Sequence, residues 1–115
     1  MKPIFIENSK VPIILSYIAP IKISAITLGP FVFSRGKMDD ITRRHESIHW
    51  EQYKETLIIG FWILYLFYWI AGIIKYRDPT FAYASIPFEQ EAYQHDDDWV
   101  YLLNRKRFAW RKYKV

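Results

Sequence analysis

"LIIGFWILYLFYWIAGII", Leu57 to Ile74, carries no charged residue at any position. Its length just reaches that of a transmembrane helix. A helix apolar on every face must be buried all round or lie in lipid, so a single membrane span is one reading. The choice decides the fold, because the polar chemistry of the chain flanks this stretch. "RRHESIHWEQY" precedes it at 43–53 and "IPFEQEAYQHD" follows it at 86–96. A span would leave these two segments separated by about 30 Å of hydrocarbon. A fold-back would bring them together.

The upstream flank holds His45-Glu46-Ser47-Ile48-His49, an H-E-x-x-H pattern. Residues four apart on a helix share a face, so both imidazoles can reach one Zn²⁺. Glu46, beside the first histidine, can act as general base toward water. From this chain's own His and Glu frequencies the pattern arises by chance in roughly 0.4% of cases, which makes it a signal worth following. It needs a third protein ligand. "WEQYKETLIIG" lacks the H-x-x-G-x-x-H extension of metzincins, so that ligand comes from elsewhere, and a carboxylate of 86–96 supplies it.

H-E-x-x-H followed by a distant glutamate helix resembles the gluzincin metallopeptidases. Glu89-Gln90-Glu91-Ala92-Tyr93 is similar to the E-x-E-A-D stretch of their membrane-linked branch, which includes the HtpX-like and BlaR-like families. Small bacterial and phage proteins with an "AITL…PFVF" strand pair, an H-E-x-x-H helix, a greasy segment and an "FE-x-EAY" helix are similar over residues 20–105. The resemblance implies that the metal ligands are His45, His49 and Glu89, with Glu91 as the alternative third ligand, and that Glu46 is catalytic. Tyr93 stands where those families have Asp, a residue that orients a zinc-ligand histidine. This departure bears on catalysis more than on metal binding.

A shared metal and a single span exclude each other, and a helical hairpin resolves the conflict. Gly60 is a weak point in an otherwise good helix. From His45 to Gly60 the chain rises about 22 Å, and from Gly60 to Tyr76 it returns by about 24 Å. A fold-back near Gly60 therefore brings 77–89 to the level of His45. A break at Gly72 would leave very unequal legs, and a long straight helix with the third helix packed far back along it is the remaining alternative. The hairpin's apolar tip is expected to meet a membrane surface or an oligomer partner.

The remainder supports one small domain over residues 1–115. In 1–37, Pro3, Pro12, Pro20, Gly29, Pro30 and Gly36 punctuate short apolar runs. "IKISAITLG" and "FVFSRG" suit short strands in a hairpin or edge pair, and the prolines argue against a long helix. Asp39 or Asp40 suits a helix N-cap, with helical sequence from Met38 to Tyr76. A turn at Arg77-Asp78-Pro79 closes it. A third helix starts near Pro87 and runs to about 105, and 106–115 reads as a basic tail in solvent. The expected fold is α+β, mainly α, with a strand hairpin packed on a zincin-like core of three helices.

Composition adds pressure toward an interface: 51% of residues are hydrophobic and 19% aromatic, and Trp and Tyr suit membrane or partner contacts as well as cores. Cysteine is absent, which excludes disulfides and thiolate metal sites. The net charge of +4 concentrates in "NRKRFAWRKYKV". No nucleic-acid motif accompanies it, so nucleic acid is not expected as a partner. The opening residues make a poor signal peptide.

The expected function is zinc-dependent peptide hydrolysis with a peptide or protein substrate, the 21–34 strand lying beside the cleft to pair with an extended chain. The alternative is a non-enzymatic, membrane-associated or virion interaction protein with a structural or vestigial metal site. His95 reads as a solvated residue or an auxiliary site group, and Arg43 and Arg44 as a solvated face or a clamp for a substrate carboxylate.

Overall fold

The computed structural model describes residues 3–18 and 24–115. Its elements in chain order are β1 (Ile4–Ile6), α1 (Val11–Ile18), β2 (Ala25–Leu28), β3 (Phe31–Ser34), α2 (Asp40–Glu55), α3 (Ile59–Tyr76), α4 (Pro79–Ser85), α5 (Pro87–His95), α6 (Tyr101–Asn104) and a 3₁₀ turn (Ala109–Lys112). It is a mainly helical α+β fold, as expected.

The strand hairpin is β2 against β3, antiparallel, with Thr27 opposite Val32 and Leu28 opposite Phe31. Gly29 takes φ 62° in the two-residue turn, a conformation open to glycine at that position of a tight hairpin. The front part of the anticipated strand, 21–23, lies outside the described residues. β1 was not expected. It pairs in parallel with β3, making a sheet of order β1-β3-β2 with β2 on an edge. A short helix, α1, fills the connection. Pro12 does not break it because proline is tolerated in a first turn, where its missing N–H would be unpaired in any case. Sheet and helices are tied by two buried bonds: Thr27 Oγ1 donates to the Glu46 carbonyl (3.2 Å) and Tyr53 Oη to the Thr27 carbonyl (2.6 Å).

Asp39 caps α2 by accepting from the Thr42 N–H at 2.7 Å. The helical segment then folds back, but at 56–58 rather than at Gly60. Thr56 ends α2, its N–H and hydroxyl both returning to the Gln52 carbonyl. Leu57 and Ile58 make the bend at φ 58° and 66°, the left-handed region that non-glycine residues occupy at a cost. Across the bend Phe61 stacks on Tyr53 at 4.0 Å and on Phe88 of α5 at 4.6 Å. These aromatics, with Trp50, Ile86 and Trp110, form the core. α3 is long and apolar enough to cross a membrane by length and composition, yet little of it is buried.

After α3 the chain turns at Arg77 in the left-handed conformation. Asp78, read from sequence as part of a closing turn, caps an additional helix, α4. Ala82 of α4 sits so close to Gly72 that a Cβ there would lie 2.9 Å from its own. The C-terminal segment is not simply solvated. The charges of 106–115 are exposed, but Trp110 is buried against Phe88 at 4.7 Å, and just before it the buried side chain of Arg105 pairs with Glu55 and Glu91, each at 2.6 Å.

Candidate metal centre

α2 and α5 cross with the H-E-x-x-H face of one against the first turn of the other. His45, His49 and Glu89 converge there, their potential ligand atoms all lying within 4.8 Å of one another. Glu89 Oε1 is 3.1 Å from His45 Nε2 and 3.0 Å from His49 Nε2. Ligand atoms about 2.1 Å from a tetrahedral ion stand roughly 3.4 Å apart, so the group can accept a small cation with little movement. Glu91 is excluded as the third ligand. It points to the opposite side of α5, where Arg105, Tyr101 and Gln52 hold its carboxylate.

Each imidazole is fixed from behind. His45 Nδ1 is 3.1 Å from Asp96 Oδ2, and His49 Nδ1 is 2.7 Å from Gln52 Oε1. With both Nδ1–H groups donating outward, both Nε2 atoms face Glu89, the orientation a ligand histidine needs. Gln52 is itself held, its Nε2 donating to the Phe88 carbonyl at 3.0 Å and to Glu91 Oε1 at 2.9 Å. The other oxygen of Glu89 accepts from Tyr65 Oη at 2.6 Å. Asp96 thus contacts a candidate ligand histidine, the contact that the resemblance expects of a residue at position 93. It lies seven residues beyond Glu89, two helical turns along α5, whereas Tyr93 presents its ring to His45 with centroids 4.5 Å apart. Arg44 donates to the Asp96 carbonyl and lies over the Trp99 ring, steadying that corner.

The electrostatics fit a cation. Burial alone would lower the His49 pKa, but the adjacent Glu89 carboxylate outweighs it and raises it to about 9. His45 is raised against the same burial by its hydrogen bond to Glu89. Burial acts on Glu89 in the opposite direction, yet the two imidazoles hold it well below the usual carboxylate range. The buried Glu89 carboxylate thus draws protons to both imidazoles, and a metal ion bound there would take the place of those protons. Two neutral-capable nitrogens and one carboxylate oxygen suit a first-row divalent metal such as zinc.

Glu46 Oε2 lies 3.8 Å from His45 Nε2, and burial raises its pKa above that of an ordinary carboxylate. All four residues line a cleft of about 510 Å³. One wall is Ser24 with Ala25, Ile26 and Thr27 of β2, and the other is Trp62, Leu66 and Trp69 of α3 with Tyr83 and Tyr93. Ser24 already bonds Arg35 across the hairpin. By the alternation of an antiparallel pair, Ala25 and Thr27 therefore turn their main-chain groups away from β3, where the Thr27 carbonyl is taken by Tyr53 Oη.

His95 lies outside the cleft, stacked on Tyr101 at 3.9 Å and 3.1 Å from Tyr113 Oη. Arg43 pairs with Glu7 at 3.3 Å. Neither arginine lines the cleft, so none of these three residues joins the site. Gln52, Asp96 and Tyr65 do, and sequence reasoning missed them. Gln52 and Asp96 had a readable signal, one turn after His49 and two turns after Glu89. Tyr65, inside an apolar run, had none.

No protein family profile matches the chain, and no curated protein or solved structure is significantly similar to it.

Proposed function

We propose that the chain is a zinc-dependent peptidase of gluzincin type, with His45, His49 and Glu89 as ligands. The observation that carries this reading is the convergence of those three residues beside Glu46 in the wall of an open cleft. A zinc ion held there would supply Lewis acidity, polarising a peptide carbonyl and making water more acidic. Glu46 would accept the proton of the attacking water and pass it to the departing amine, so that one peptide bond and one water give a carboxylate and an amine. A base whose carboxyl pKa is raised above the ordinary range by burial suits that exchange. Asp96 and Gln52 keep the two ligand histidines in one tautomer. The edge at Ala25 offers main-chain partners to an extended peptide, the Thr27 carbonyl being already taken by Tyr53, while Trp62, Leu66 and Trp69 provide an apolar wall for its side chains.

The test is Glu46→Gln, read as both zinc content and hydrolysis of a mixed peptide library. The expected variant keeps one zinc per chain and loses activity by about 10²–10⁴-fold. Zinc held by both forms with no hydrolysis by either would assign the site a structural role, which is the alternative reading.

A further inference from the structure

α3 has two faces. Phe61, Tyr65 and Gly72 turn inward, whereas Ile59, Ile63, Leu66, Phe67, Ile70 and Ile74 form a continuous outward stripe from 48% to 74% exposed. With Leu57 and Ile58 at the bend, the stripe offers on the order of 1,000 Å² of apolar surface, beyond what a soluble monomer usually leaves bare. No acidic residue occurs between Thr56 and Arg77. At the end of α3 lie exposed Lys75 and Arg77, and Lys75 donates to the Val115 carbonyl at 3.1 Å. That bond brings Arg111, Lys112 and Lys114, all exposed, to the same end.

We infer that this face docks on an anionic lipid bilayer, α3 lying in the plane of the interface with its stripe in the acyl boundary. Charge separates this occupant from a second copy of the chain. Copies packed stripe to stripe in parallel would set one basic end on the other. Packed antiparallel, they would set it on an uncharged bend. In either arrangement the five cations of each copy meet at most the single exposed carboxylate of Asp78 at that end, whereas anionic headgroups answer the net positive charge. Trp62 and Leu66 belong both to the border of the stripe and to the wall of the cleft, so docking opens the cleft at the membrane surface. Its substrate class is then a peptide segment lying at that surface. This second step rests on the peptidase reading, and the docking does not.

The experiment is flotation of the full chain with vesicles of phosphatidylcholine and phosphatidylglycerol, 3:1, beside pure phosphatidylcholine. The wild type floats with the mixed vesicles. The double variant Ile63→Glu, Phe67→Glu, which changes only exposed side chains, lowers the bound-to-free ratio about tenfold or more while retaining its zinc. Lys112→Gln and Lys114→Gln each lower it about fivefold. Failure to float, equal binding to pure phosphatidylcholine, or a dimer in sedimentation velocity that the double variant dissolves while flotation is unchanged would overturn the docking. A peptide tethered to the mixed vesicles is cleaved faster than the same peptide in solution, and the double variant loses that advantage alone. Cleavage equal in both settings overturns the substrate assignment. No cleavage in either overturns the peptidase reading and leaves docking to be judged by flotation.

Discussion

His45 and His49 are held at both ends of their rings, and the weight of the site falls on residues that no metal would touch. Asp96→Ala removes the acceptor of His45 Nδ1–H, freeing ring and tautomer, and should weaken zinc affinity about 10–100-fold in competition with a chelating dye. Unchanged affinity would show that Asp96 is a bystander. Gln52→Leu should act alike on His49, and it also strips Glu91 of a partner, so its effect should spread to stability. The three candidate ligands were legible because their spacing is local: His45 and His49 share a face by helical period, and Glu89 opens a helix announced by Pro87. Even so, Glu89 over Glu91 rested on resemblance, and the structural reason is that Arg105 draws Glu91 to the far side of α5. Asp96 carries no mark of its own in sequence, because it stands in a run with Asp97 and Asp98 that solvent alone would explain. Tyr65 was hidden because a tyrosine within an apolar run gives no sign that its hydroxyl meets a buried carboxylate.

Length arithmetic made the fold-back legible, since equal legs on either side of a break are required if one ion is shared. The break itself moved from Gly60 to 56–58 because the chain ends α2 with the Thr56 hydroxyl bonded to the preceding turn and places two bulky residues in the left-handed region. Glycine freedom was thus not what located the bend. Leu57→Gly should relieve about 1–2 kcal/mol of backbone strain against about 0.5–1 kcal/mol of added chain entropy. The net is a stabilisation of up to about 1.5 kcal/mol in urea denaturation, and a loss would count against the strained bend. At Gly72 the sign reverses. Gly72→Ala places a methyl against Ala82 and should destabilise by about 1–3 kcal/mol through overpacking of α3 on α4. The helix α4 escaped sequence reasoning because Arg77-Asp78-Pro79 is equally a helix stop and, with Asp78 as cap and Pro79 at the first position, a helix start.

At the scale of the molecule, two distant segments close the fold and neither announced itself. β1 joins β3 in parallel, a pairing that sequence adjacency does not suggest. The C-terminal segment, basic enough to read as tail, buries Trp110 and sends Arg105 into two carboxylates. Arg105→Ala would leave Glu91 buried without its cation and should cost about 3–5 kcal/mol, against about 0–1 kcal/mol for an exposed pair such as Lys54–Glu51. Trp110→Ala should cost a similar amount through the cavity beside Phe88. Because Glu91 and Phe88 bracket Glu89 on α5, both changes should also loosen zinc binding. The central claim is that α2 and α5 meet in order to hold one metal ion, and equilibrium dialysis against buffered zinc tests it most directly. The account predicts one zinc per wild-type chain, and a loss of binding in Glu89→Ala but not in Glu51→Ala. A chain that takes up no zinc, or one whose stoichiometry survives Glu89→Ala, would contradict it.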